Sequence, residues 1–176
     1  ELNELFELMN SINPPERSDE MERKINCAAS WIARGRAVVK RDSRTKQIVQ
    51  VFPAEEPYRL IEQLSTLLNS LIIIHMNQVS DRVQKIFLDV VTGCVPRDRM
   101  EIVNCLWQKG NTGLKREELT HLLNSFNNSS LTHLLQDMRL LKLIVCDDTK
   151  YYLEPKFLEL FSEWFVVEPV FEKVKR

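Results

Sequence analysis

Glycine is scarce in this chain: 4 residues in 176, at Gly35, Gly93, Gly110 and Gly113. Loops that cradle phosphates need glycine where the backbone must approach the anion or take a positive φ. These four fit neither GxGxxG nor GxxxxGKS/T, which excludes a dinucleotide fold and a nucleotide-hydrolysing core from this sequence. Metal-ligand spacing is missing too. Cys27, Cys94, Cys105 and Cys146 form no CxxC pair, and His75, His121 and His133 complete no zinc pattern. Neither HExxH nor a nucleophile elbow occurs. The adjacent acids Glu55-Glu56 and Asp147-Asp148 have no histidine nearby in sequence and read as solvated turns. The expectation is therefore no catalytic residue, no metal site, and no cofactor bound by this chain.

Long apolar runs are also absent. The greasiest stretch, Leu71 to Ile74, is far below the ~20 residues that span a bilayer. No basic-then-apolar signal opens the chain, so no membrane partner is expected. The four cysteines lie in apolar or helical contexts and read as buried free thiols of a reducing compartment, which makes the chain cytoplasmic. Charge of one sign is not in excess. With 24 Lys+Arg against 25 Asp+Glu the net charge is -1, which excludes nucleic-acid binding by bulk electrostatics alone. A start at Glu1 instead of Met reads as a piece of something longer.

What is present is helical patterning with two short β segments. Leu2, Leu5, Phe6 and Leu8 suggest a first short helix, stopped at Asn13-Pro14-Pro15. Ser18 is placed to cap a helix whose first turn carries Asp19, Glu20 and Glu22, with Ile25, Ala28, Ala29 and Ile32 inward as far as about Arg34. Val38-Val39, a polar turn at Asp42 to Thr45, and Ile48, Val49, Val51 and Phe52 make a β-hairpin closed by Pro53. A helix from about Pro57 is apolar on more than one side, and His75 ends it. Ser80-Asp81 caps the next, with Val83, Phe87, Leu88 and Val91 inward.

After a boundary near Pro96 the rhythm changes. Asp98 would cap a helix ended by Gly110, a second helix spans Lys115 to Leu123, and Asn127-Asn128-Ser129 caps a third with Leu131, Leu134, Leu135, Met138 and Leu141. Leu143 to Val145, a turn at Asp147 to Thr149, and Tyr151 to Leu153 give strand, turn and strand, before a closing helix with Phe157, Leu158, Phe161 and Trp164. The fold class expected is mainly α. Residues 1–95 form a helical module with a basic β-hairpin at about 37–52, and residues 96–176 form a winged helix-turn-helix.

That geometry presents one helix to the major groove of duplex DNA. The presented helix would expose Ser129, Ser130, Thr132, His133, Gln136, Asp137 and Arg139, types that read base edges or meet phosphates. Lys115 and Arg116 open the preceding helix, and Lys150 falls in the wing turn. Over Arg97 to Glu154, however, eight basic residues face eight acidic ones. A neutral module binds phosphates weakly, and winged helices also serve as protein-docking modules. The clear charge asymmetry is in the hairpin, where Arg34, Arg36, Lys40, Arg41, Arg44 and Lys46 stand against Asp42 alone. Those side chains either track a phosphate backbone or cover a solvated ribbon, pairing with acids such as Glu55 and Glu56. Trp31, just before the run, reads as core.

From Tyr58 the run YRLIEQLSTLLNSLIIIHMNQVSDRVQKIF resembles the lid region of AAA+ ATPases of the minichromosome maintenance kind. The matching parts are Arg59 opening the lid helix, Leu60 to Ile74 along it, and Val79-Ser80-Asp81 capping the next. The resemblance covers roughly Tyr58 to Trp164, since that family also continues into a winged helix. It implies a DNA-binding C-terminal fragment of a replication-type ATPase, with Arg59 as the sensor of the nucleotide γ-phosphate. ATP and magnesium would then belong to a motor domain upstream, because the family's Walker segments do not occur here. A free-standing winged-helix transcription regulator and a protein-docking module are the alternatives.

Overall fold

The computed structural model describes residues 18–75 and 78–164. The helix expected at Leu2 to Leu8 and the last residues of the chain lie outside them. Helix α1 (Asp19–Arg36) begins as its sequence dictates, with the Ser18 hydroxyl accepting from the Met21 N–H at 3.3 Å and three acids in the first turn. It runs two residues beyond Arg34. Its end is held from a distance, because the Arg99 guanidinium donates to the carbonyls of Gly35 at 2.6 Å and Ala37 at 2.9 Å. A cation on the last carbonyls complements the helix dipole, and the burial this requires pulls the Arg99 pKa down. Gly35 is needed there for space: a Cβ would lie 2.5 Å from a Val95 methyl.

Strands β1 (Val39–Arg41) and β2 (Ile48–Val51) form the hairpin, antiparallel and irregular between Lys40 and Arg41. Helices α2 (Tyr58–Ile74) and α3 (Asp81–Gly93) pack on α1, and the Ser80 hydroxyl caps α3 by accepting from Val83 N–H. Helix α4 (Arg97–Lys109) starts two residues earlier than an Asp98 cap requires: Pro96 holds the cap position, and Asp98 sits in the first turn. Pro96 supplies no N–H, and at a helix start none is needed.

A short 3-10 turn (Gly110–Thr112) leads to β3 (Leu114–Lys115), a two-residue strand that sequence periodicity cannot reveal. Then follow α5 (Arg116–Leu122), α6 (Asn128–Leu140), β4 (Ile144–Asp147), β5 (Lys150–Leu153) and α7 (Pro155–Trp164). The three strands make one antiparallel sheet in the order β3-β5-β4, so the expected two-stranded wing gains a third member. Gly113 permits this turn into β3. Its φ is +62°, and the Tyr152 ring lies where a Cβ would go, 2.5 Å away.

The fold is thus mainly α with a β-hairpin. Its buried apolar side chains form one cluster on both sides of Pro96, from Ile25, Trp31 and Phe87 to Leu106, Leu131 and Phe157. Trp31 is fully buried and meets Phe157 of α7 edge-on, with ring centres 5.0 Å apart. None of the four cysteines is in a disulfide, as expected, but their burial departs from expectation: Cys94 is exposed and the other three are only half-buried. Cys94 follows the last turn of α3, where the amphipathic pattern that suggested burial has already ended. No helix among the described residues is long and apolar enough to cross a membrane.

Candidate nucleic-acid interface

Helix α6 turns Leu131, Leu134, Leu135 and Met138 into the core. The same 3.6-residue period leaves Ser129, Thr132 and Gln136 on one outward stripe. The cap is Asn127, whose side-chain oxygen accepts from the Ser130 N–H at 2.7 Å, so Ser129 lies inside the first turn and does not itself cap. Asparagine is an equally good cap, and three candidates in a row left the position undetermined in the sequence. Ser129, Ser130, Thr132, Gln136 and Arg139 are exposed, whereas His133 and Asp137 are half-buried.

Two arginines flank the stripe. On one side Arg116 Nη1 donates to the Thr132 hydroxyl at 3.2 Å, and that hydroxyl donates to the Asn128 carbonyl at 2.8 Å. On the other side comes a contact that sequence spacing does not suggest. Arg41, from the hairpin, reaches across to the C-terminal half of α6. Its Nε donates to Asp137 Oδ1 at 3.1 Å, and its Nη2 donates to Asp137 Oδ1, to Gln136 Oε1 at 3.0 Å and to the His133 carbonyl at 3.2 Å. Its Nη1 donates to the Lys46 carbonyl at 2.9 Å, tying the fork to its own loop. The two charged side chains are only 14% and 16% exposed, so this pair is far better protected than an ordinary surface salt bridge.

The hairpin loop is tied together by local hydrogen bonds. The Asp42 carboxylate accepts from the Thr45 N–H, from the Thr45 hydroxyl and from the Arg44 N–H, and these bonds hold its pKa below the ordinary value. Of the six hairpin cations, three are taken up within the protein. Arg34 donates to the Lys142 carbonyl at 3.2 Å, Arg36 pairs with Glu55 at 3.5 Å, and Arg41 holds Asp137. Lys40, Arg44 and Lys46 present exposed side chains.

The remaining candidates are scattered. Lys115 is exposed at the end of β3, and its backbone N–H is held by the Glu118 carboxylate at 2.7 Å. Lys150 is not in the turn: it opens β5 opposite Lys115, and its ammonium turns back to the Thr112 carbonyl at 3.1 Å. The turn itself is Asp148-Thr149, with Asp148 at φ +50°, so the tip between β4 and β5 is acidic. Arg59 is exposed in the first turn of α2. No group of three His, Cys, Asp or Glu side chains among the described residues is arranged to hold a metal. Comparison with protein-family models, curated proteins and solved structures finds no match to this chain.

The basic hairpin and α6 lie far apart in the sequence, and Arg41 joins them. Asp137, the acid that makes the joint, sits 96 residues away along the chain. The charge consequence is direct. Asp137 lies within α6, where a bare carboxylate would repel a phosphate backbone, and Arg41 neutralises it.

Proposed function

We propose that this chain binds duplex DNA through one composite surface, made of the outward stripe of α6 and the docked basic hairpin, with residues 96–176 acting as a winged helix. The observation that carries this is the Arg41 fork. It fastens the hairpin that carries Lys40, Arg44 and Lys46 to Gln136 and Asp137 of the helix whose outward stripe also carries Ser129 and Thr132, so phosphate-neutralising charges and base-reading types belong to joined elements. Lys115 of β3, Arg116 of α5 and Arg139 of α6 add further positive charge. The module from Arg97 to Glu154 is neutral alone, and the hairpin supplies what it lacks. The element order helix, strand, helix, helix, strand, strand supports the winged-helix reading, with α6 as the helix offered to the major groove.

Fluorescence anisotropy with a labelled duplex at low salt tests it. Reversing Lys40, Arg44 and Lys46 to Glu, and separately Lys115 and Arg116 to Glu, is expected to weaken binding at least tenfold in each case. Unchanged affinity in the hairpin variant sinks the composite surface. The AAA+ reading of the same chain rests on the resemblance from Tyr58 onward. It would make Arg59, which is exposed, available to a nucleotide on a motor domain.

A protein-docking role has one observation in its favour: Val38, Val49, Val51 and Phe52 on the hairpin are 57%, 61%, 40% and 40% exposed. Under that reading Val49→Ser with Phe52→Ser would abolish partner capture, and duplex DNA would not bind even at low salt.

A further inference from the structure

The bond between Arg41 and Gln136 constrains what the helix can read. A glutamine amide has two ends: a carbonyl oxygen that accepts and an NH2 that donates. Adenine in the major groove is matched by using both, since Oε1 takes the N6 amino group while Nε2 donates to N7. Here Oε1 is held by Arg41 Nη2 at 3.0 Å, on the side of the helix where Asp137 and the His133 carbonyl fix the same guanidinium. The fork is kept from swinging away because Asp137 holds its Nε and a hydrogen of Nη2, and the Lys46 carbonyl holds its Nη1. What Gln136 offers outward is therefore its Nε2 amide, a donor with no partner among the described residues.

We propose that Gln136 is a specificity-determining residue that selects guanine, whose O6 and N7 are both acceptors, and that Arg41 is the positioning residue that enforces this choice. The inference rests on the duplex-binding reading. Arg41 acts here through the amide and touches no base. Thymine offers a single acceptor, O4, beside a methyl group, and cytosine offers only its amino donor, so guanine is the base that engages both amide hydrogens.

Selection of duplexes from a randomised pool, followed by affinity measurements on single-base variants of the winner, separates the outcomes. Wild-type protein is expected to bind a guanine-containing site about tenfold more tightly than its adenine counterpart at one position, the low end of what a good base contact discriminates. Gln136→Met, at an exposed position, is expected to lose that preference and keep the others. Arg41→Met is expected to move the preference at the same position from guanine toward adenine, as the freed amide regains both ends. Adenine selected by the wild type, or no position that depends on Gln136, overturns the inference while the composite surface stands. If the wild type binds no duplex at low salt, both fall. Should Arg41→Met fail to fold, the comparison of wild type with Gln136→Met still decides between guanine and adenine.

Discussion

The link between the hairpin and α6 has an energy that a double-mutant cycle can measure. Arg41→Ala removes the donor to Asp137, Gln136 and the carbonyls of His133 and Lys46. Asp137 is only 16% exposed, so its carboxylate would stay half-buried without its cation. Loss of a hydrogen-bonded charge in such a site costs about 1.5–3 kcal/mol, and residual solvent access keeps the value below that of a fully buried pair. The expected destabilisation is about 2–3 kcal/mol. For a chain of this size that lowers Tm by roughly 4–12 °C, at about 2–4 °C per kcal/mol. Asp137→Ala alone is milder, about 1–2 kcal/mol, because the guanidinium keeps its other acceptors. The double variant should lose less than the sum of the two, with a coupling energy of about 1–2 kcal/mol. Urea unfolding followed by circular dichroism on all four proteins gives the number. A coupling below about 0.3 kcal/mol, the level at which distant sites simply add, would mean that the hairpin is not fastened to α6 through this pair.

Three further outcomes test other parts of the structure. Gly113→Ala forces a Cβ into the Tyr152 ring at positive φ and should cost about 2–3 kcal/mol by thermal unfolding, whereas Gly93→Ala, with nothing within 4 Å, should cost nothing measurable. Thiol alkylation at mildly alkaline pH should modify exposed Cys94 first and Cys105 last, because burial, helped by the Glu101 charge, pushes the Cys105 thiol up; mass spectrometry of peptides gives the order, and equal rates would contradict it. Asp42 has a folded pKa below the ordinary 3.8, so its contribution to the hairpin loop is complete above that value and is lost as pH falls through the lower folded value; the Thr45 and Arg44 amide resonances should titrate with a midpoint under 3.8, and a midpoint at or above it would remove the role given to these bonds.

The sequence made some of this legible and hid the rest for physical reasons. Caps at Ser18 and Ser80 and the inward rows of α3 and α6 are local, set by residues within a turn or two, and they appear where the periodicity puts them. The stripe of Ser129, Thr132 and Gln136 follows from that same period. Strand β3 was invisible because two residues carry no alternation, and it exists only because β5 pairs with it. Lys150 was misplaced by one position, enough to move it from the turn into a strand whose neighbour holds its ammonium. Most consequential was Arg41, whose role is set by Asp137 and Gln136 far along the chain. A basic run in a hairpin looks uniform in sequence, yet the fold gives Arg34, Arg36 and Arg41 acceptors within the protein and leaves Lys40, Arg44 and Lys46 as exposed side chains.

The salt dependence of duplex binding bears most directly on the composite surface. Lys40, Arg44 and Lys46 of the hairpin join Lys115 of β3 and Arg116 and Arg139 of the helices as exposed cations available to phosphates. If roughly four to six of them engage, log K should fall linearly with log salt at a slope of about -4 to -5, and reversing the three hairpin cations should make it shallower by about 2–3. No binding at low salt, or a wild-type slope no steeper than about -1, would contradict duplex recognition by the hairpin and α6 together.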